Sequence, residues 1–448
     1  MPFARHDEGG RRRKQAGAAL VLSLFVATGP AARAQETLTL AEALRRAVAA
    51  NPVTETARSQ VATSEAQIRQ LRSAILPEVT AEGAAIRNSE EVAFEAEDFR
   101  STILPENDWN YRIILRQPVY AGGREMKALR QSRLNRDIST QEVRRSEEGV
   151  ILATAGDYLA VAQGDALIEV EQRNLELAER RRRQAQAFFE AGEVTRVDVL
   201  RAETDMKAVE RALAVAQQNR DTAVSRLRLD LALDAATPLA VVRPSVDFPT
   251  RPQAEELIRL AQDTRPEVQQ AAMDLEIARL EVAKQRAARL PVVRAEAAYT
   301  SQKSTFPADQ YGSVSLNLDV PIWDSGLISS RVAQAREQQR RTEIALAEQR
   351  RLVREDVVQA LVALETAEKS LALAREQLTA AQAEYDQSFE LYRAQEATSL
   401  DVEASETSLA DARRVVVNST LDRAIAELSV WSAVGNLKDV ILKEEVNP

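Results

Sequence analysis

The feature that most limits what this chain can fold into is an internal duplication. Asn51-Pro52 opens a helical stretch that reaches Leu76-Pro77, and Arg265-Pro266 opens one that reaches Leu290-Pro291. Further on, Gln117-Pro118-Val119-Tyr120-Ala121-Gly122-Gly123 matches Val320-Pro321-Ile322-Trp323-Asp324-Ser325-Gly326. Ala191-Gly192-Glu193-Val194-Thr195-Arg196-Val197-Asp198-Val199 then matches Ala394-Gln395-Glu396-Ala397-Thr398-Ser399-Leu400-Asp401-Val402. The opening intervals are about 25 residues in both copies, and Pro118 to Asp198 equals Pro321 to Asp401 at about 80. Only the stretch between the prolines differs, about 41 residues from Pro77 to Pro118 against about 30 from Pro291 to Pro321. A packed helix cannot change length without shifting its register, whereas an exposed loop can. Each repeat is therefore expected to hold helices of fixed length and one variable loop.

The variable interval also carries strands. Val314, Leu316, Leu318 and Val320 alternate with Ser313, Ser315, Asn317 and Asp319, a period of two that a helix cannot satisfy. Trp109, Tyr111, Ile113 and Leu115 oppose Asn110, Arg112, Ile114 and Arg116, and Val293, Ala295, Ala297 and Tyr299 oppose Arg294, Glu296, Ala298 and Thr300. Val79, Ala81, Gly83 and Ala85 form a weaker version. This predicts four strands, at about 77–88, 108–118, 291–302 and 311–321, one hairpin per repeat. Alternation alone also fits a soluble sheet with one wet face. Two observations favour a membrane barrel. The strands have the roughly 9–11 residues that a tilted strand needs to cross a bilayer. Trp109, Tyr111, Tyr120, Tyr299, Tyr311 and Trp323 also lie in or beside them, as interfacial girdles do. Four strands cannot close a transmembrane barrel, for which about eight is the minimum, so several chains must contribute to one.

Long helices are expected at about 124–191 and 198–233, and again at about 327–394 and 401–435. No proline interrupts the first, and Ile151, Leu152, Ala155, Tyr158, Leu159 and Ala162 recur at helical spacing. At 1.5 Å per residue it spans about 100 Å, and its return about 60 Å. The short helices ahead of the strands, residues 54–75 and 267–289, can supply the missing length. Only 4% of the chain is aromatic while 28% is charged, which disfavours a large globular core and suits narrow helical seams. The fold class is mainly α with a membrane β-barrel portion, duplicated.

At the N-terminus, Arg11, Arg12, Arg13 and Lys14 precede an apolar run from Ala16 to Thr28 and the small-x-small Ala32-Arg33-Ala34. Residues 1–34 read as a secretory signal, because a membrane anchor needs about 20 apolar residues and Gly29-Pro30 ends this run at about 13. Cleavage takes the formal charge from −9 to about −13, a poor balance for binding nucleic acid. It also removes His6, the only histidine, in a chain that has no cysteine. No histidine base, thiol nucleophile or usual zinc site is then available, and no P-loop or GxGxxG pattern occurs. The expectation is a protein that is not an enzyme and needs no cofactor, catalytic residue or metal.

Together these features resemble a TolC-type outer-membrane channel over essentially the whole mature chain, with repeats at 35–247 and 248–448. The matched turning segments carry the resemblance, and Leu428-Ser429-Val430-Trp431-Ser432-Ala433-Val434-Gly435 is similar to the family's closing segment. The resemblance implies a homotrimer that pools its strands into a twelve-stranded barrel in outer-membrane lipid and continues as a periplasmic α-barrel. It also implies a periplasmic adaptor and an inner-membrane pump as partners, in efflux or type I secretion. Gly192, Val194 and Thr195, with Thr398, Ser399 and Leu400, would then lie at the tip where the adaptor docks. Asp401, Asp198 and Glu403 are the candidate periplasmic gate. Two departures bear on the adaptor contact and the gate's charge count: Gln395 stands where Gly192 has its counterpart, and Ala404 where some members carry a second aspartate.

Three copies of Asp401 about an axis would form a carboxylate ring that attracts cations and whose members raise one another's pKa. The competing reading is that Asp198 and Asp401 cap helices. For the whole chain, the alternative is a periplasmic coiled-coil adaptor or scaffold, but an adaptor should carry one hairpin between soluble β-domains.

Overall fold

A computed structural model describes residues 36–96, 99–243, 251–304, 308–394 and 396–443. The expected signal segment and Gln395 lie outside the described residues. In chain order the first half runs β1 (Glu36–Leu38), α1 (Leu40–Ala50), α2 (Pro52–Ser73), β2 (Glu78–Arg87), β3 (Val92–Ala96), β4 (Phe99–Leu104), β5 (Asn107–Tyr120), α3 (Arg124–Glu190), α4 (Arg196–Asp230) and β6 (Leu239–Val241). The second runs α5 (Ala254–Thr264), α6 (Pro266–Ala287), β7 (Val292–Gln302), β8 (Gln310–Asp319), α7 (Leu327–Arg393), α8 (Ser399–Val434) and α9 (Leu437–Lys443). The duplication extends to element lengths: α1 and α5 have 11 residues, α2 and α6 have 22, and α3 and α7 have 67. Each 67-residue helix is about 100 Å long.

Local chemistry explains the boundaries. Asn51 accepts from the Val53 N–H ahead of Pro52, which stands in the first turn where no donor is needed. Thr39 and Glu42 form a capping box on α1. Helix α2 lies along α3 through the Ser64–Ser139 hydroxyl contact at 2.9 Å and the Arg58–Glu147 ion pair at 3.0 Å. On α7 the buried residues Val353, Val357, Leu364, Leu371, Ala374 and Ala381 follow three-four spacing, a coiled-coil seam. The largest core sits around the middle of the long helices. There Ile151, Tyr158 and Val161 of α3 meet Leu44, Leu227, Leu257, Val430 and Leu437. The Tyr158 hydroxyl donates to the Leu38 and Val242 carbonyls, beside the parallel β1–β6 pair.

Strands β2, β5, β7 and β8 form one antiparallel sheet in the order β2-β5-β7-β8, with β2 and β8 at its edges. Its register puts Val79, Tyr111, Ile113, Leu115, Tyr299, Val314, Leu316 and Leu318 on one face, all exposed. The other face carries an ion-pair lattice. Glu296 holds Arg112 at 3.3 Å and Arg116 at 3.5 Å, and Arg116 reaches Glu82 at 3.9 Å. One expectation is corrected here: the extra length of the first repeat is not a plain loop but holds a second hairpin, β3 with β4. The two three-residue strands β1 and β6 were also unforeseen. No described helix is long and apolar enough to cross a membrane.

Gly164 of α3 packs directly against Arg220 of α4. A Cβ built there would lie 2.8 Å from the Arg220 Cβ and 3.0 Å from its Cα, so backbone would have to move. Gly164→Val is expected to destabilise the hairpin by about 1–3 kcal/mol. Gly149→Ala, which meets nothing within 4 Å, should stabilise by about 0.5–1 kcal/mol. The midpoints of helix loss on heating, followed by circular dichroism, check both signs.

Candidate functional site at the helical turning points

Helices α3 and α7 end in the same way and at the same end of the molecule. At the first turn the Gly192 N–H donates to the Phe189 carbonyl and the Glu193 N–H to the Phe188 carbonyl, with Gly192 at φ +78. This is the Schellman closure, which calls for a left-handed residue and explains glycine at 192. In the second turn the Glu396 N–H makes the equivalent 2.9 Å bond to the Leu391 carbonyl.

The return helices start with matched capping boxes. Thr195 donates its N–H and hydroxyl to Asp198 Oδ2 at 3.0 and 2.7 Å, and Thr398 does the same to Asp401 Oδ2 at 2.9 and 2.7 Å. The Thr195 hydroxyl holds the Asp198 carboxyl below its usual range, with help from the Thr195 N–H and Ser399. Asp401 is lowered in the same way by Thr398. Both groups are therefore ionised at any ordinary pH, and their support for the cap is lost only as pH falls through the lowered values. Within one chain the cap thus acts against the upward shift expected of a ring.

The two turns meet. Ser399 donates to Asp198 Oδ1 at 3.3 Å, and Phe188 contacts Tyr392 edge-on at a centroid distance of 5.7 Å. Val197, Leu200 and Leu400 are exposed beside them, Val194 is half-buried, and Thr195 and Thr398 face solvent. Asp198 and Asp401 thus share one end of the molecule with Gly192, Val194 and Ser399. Glu403 is half-buried and takes no part in either capping box, and it is close enough to Glu406 to raise its carboxyl.

Sequence reasoning did not find the polar seam behind the tip. Buried Arg181 of α3 pairs with Asp205 of α4 and, at 3.2 Å, with Glu406 of α8. Burial pushes Glu406 up, Arg181 restrains it, and Asp205 and Glu403 add to the rise. Toward the waist, Arg414 grips Glu171 with bonds of 2.6 and 3.0 Å, and Arg413 donates to Asn174 and Gln382. The signal was present: Glu171, Asn174, Ala178, Arg181 and Ala185 are all buried and follow three-four spacing, with polar residues at core positions.

Among the described residues no cluster of three or more acidic side chains could hold a metal ion.

The sequence profile described as outer membrane efflux protein matches residues 43–232 and 257–436. The chain is 25% identical to the outer membrane efflux protein BepC of Brucella suis over 429 residues, covering 94% of this chain and 90% of BepC. Its fold is similar to that of CusC, with a TM-score of 0.77 at 16% identity over 88% of this chain and 91% of CusC. It is also similar to VceC of Vibrio cholerae, with a TM-score of 0.75 at 15% identity over 88% of this chain and 96% of VceC. Both comparisons speak to fold alone. The protein resides in the outer membrane, reaches across the periplasm and is a channel, not an enzyme. By that match, which takes in most of both repeats, the chain belongs to the outer membrane efflux protein family.

Proposed function

We propose that three copies of the chain close their sheets into a twelve-stranded barrel, and that the molecule is the passive outer-membrane duct of a tripartite efflux pump or type I secretion system. The observation that carries this reading is the sheet. One face is apolar and exposed, with Val314 at 87% and Leu316 at 69%, while the other bears the Arg112, Arg116 and Glu296 lattice. Such a sheet suits lipid outside and water inside. Both edges, β2 and β8, are open to pairing, and edge-to-edge closure with other copies removes the liability that open edges present. Helices of about 100 Å then carry the duct inward. The tip formed by Gly192, Val194, Thr195, Thr398, Ser399 and Leu400 receives a periplasmic adaptor, which links it to an inner-membrane pump. The name of the Brucella suis relative favours efflux over secretion.

At the entrance, Asp401 and Asp198 supply negative charge with Glu403 behind them. The capped geometry and the gate are compatible, because the cap is made through Asp401 Oδ2. The test is single-channel recording of the purified mature protein in a planar bilayer, with its mass determined without heating. A trimer with stepwise, cation-selective currents is expected, and Asp401→Ala should lower the cation preference. A water-soluble rod that carries no current would overturn the duct. A trimeric channel whose selectivity ignores Asp401→Ala would leave the duct and overturn the gate.

A further inference from the structure

The chain carries a net charge of −9, yet one belt of it is strongly basic. Strands β2 and β7 begin, and β5 and β8 end, at the same end of the sheet, where Glu78 pairs with Arg116 and Val292 with Asp319. The segments that join this end to the helices, 69–77, 121–130, 281–291 and 321–331, hold nine Lys and Arg against three carboxylates, Glu125, Glu281 and Asp324. Two of the three carboxylates are engaged already. Glu281 pairs with Lys284 at 2.5 Å, and Asp324 accepts the Gly326 and Ile328 N–H groups at the start of α7. Arg69, Arg72, Arg286, Arg289 and Arg331 are exposed, and among the described residues none of them makes an ion pair.

The belt is one surface. A Cβ on Gly122 would lie 2.8 Å from the Ala287 carbonyl oxygen, so the link from β5 to α3 rests on the end of α6. Arg124, Lys284 and Arg331, from three helices, line one hollow of about 340 Å3 with Glu125. The duplication repeats the charge, because Arg72 and Arg286 are the penultimate residues of α2 and α6. At the same end of the sheet, Ile322 and Trp323 are 94% and 87% exposed, and Leu76, Tyr120 and Leu290 are exposed as well. From the sheet toward the helices the order is therefore an apolar face, then bulky apolar and aromatic side chains, then cations. Acyl chains, interface and phosphates follow the same order in a leaflet.

We propose that this belt binds the headgroups of anionic phospholipids in the periplasmic leaflet of the outer membrane, an inference that rests on the barrel reading above. The surplus of six cations per chain selects headgroups with a net negative charge over zwitterionic ones, since a cation held near an anionic surface is attracted to it and a neutral surface gives no such return. Continuity with the exposed apolar face places the phosphates at the belt when the acyl chains cover Leu316 and Leu318. The belt would then fix the depth at which the duct sits.

Trp323 is the reporter. Of the three tryptophans, Trp431 is buried at the waist and Trp109 can be replaced by Phe. The mature Trp109→Phe protein is reconstituted in vesicles of equal phosphatidylglycerol and phosphatidylcholine, with bromine on the acyl chains of one lipid or the other. Quenching of Trp323 should show a local preference for phosphatidylglycerol of about fivefold or more, the factor that one near-surface cation supplies. Salt at about 1 M should abolish the preference. The Arg72→Gln/Arg286→Gln/Arg289→Gln/Arg331→Gln variant should lose it, and the same four positions changed to Lys should keep it. The unheated mass and channel currents of each sample are recorded alongside. Equal quenching by both lipids in a trimeric, conducting parent would overturn the belt and leave the duct standing. A preference that survives in the Gln variant would overturn it too. A parent that neither assembles nor conducts would overturn the barrel reading and the belt with it.

Discussion

Leu316→Arg is expected to remove the proposed heat-sensitive trimer from outer-membrane fractions, whereas Ser315→Arg, one residue away, leaves it in place. The two positions lie on opposite faces of β8. Leu316 shares its face with Val314 and Leu318, and Ser315 pairs in register with Glu296, which binds Arg112 and Arg116 on the other side of the sheet. An arginine near the middle of the lipid face costs about 2–4 kcal/mol per copy, and three copies bring this to about 6–12 kcal/mol. That is comparable to the whole stability of a typical domain, about 5–15 kcal/mol. An arginine at 315 meets a wet face and an existing carboxylate. The measurement is the amount of unheated trimer in purified outer membranes for each variant. Normal assembly of Leu316→Arg with loss of Ser315→Arg would invert the faces of the barrel, and loss of both would point to strand packing instead of lipid contact.

That pair of substitutions could be chosen from the sequence, because period-two alternation identifies a face without any knowledge of neighbours. The same holds for the helix lengths, which the repeated proline and turn signals bracket from both sides, and for the Thr-x-x-Asp starts at Thr195 and Thr398. The β3–β4 hairpin was less legible. Its strands hold five and six residues, and Val92-Ala93-Phe94-Glu95-Ala96 is too short a run to separate from a loop. Helix α1 did carry its own signals, the Thr39–Glu42 box and the spacing of Leu44, Ala47 and Val48, but they lie ahead of Asn51-Pro52, where the matched segments begin.

At the tip the shortfall is of another kind. Each cap is local, with its partners three residues apart, so residue spacing reveals it. The Ser399–Asp198 bond joins residues 201 positions apart, and Arg181 finds its partners on two other helices. Heptad spacing shows that a charged residue faces a seam. Which charge answers it depends on how the two hairpins are set against each other, and that depends on packing along the whole of α3 and α8.

Arg181 is where that packing has the greatest consequence. Arg181→Met keeps the apolar stem but leaves Asp205 and Glu406 as partly buried carboxylates without their cation. Breaking a buried pair by removing one partner typically costs about 3–5 kcal/mol. The loss should depend on pH in a definite direction. Glu406 is already raised, and without Arg181 it rises further, so the folded variant holds a proton that the unfolded chain has released. A raised carboxyl contributes stability that is present below its unfolded value and lost as pH climbs through the folded one. The variant should therefore melt close to the parent at acid pH and well below it at pH 8. Adding Glu406→Gln and Asp205→Asn should restore much of the loss at pH 8 by removing the uncompensated charges. Because Glu406 lies on α8 and Arg181 on α3, the same change also unpins one hairpin from the other beside the proposed entrance, and larger or noisier single-channel currents should accompany the lowered melt. A melt for Arg181→Met that matches the parent at pH 8 would show that solvent already satisfies these carboxylates. A lowered melt with parental currents would confine Arg181 to stability and place control of the entrance nearer the caps at Asp198 and Asp401.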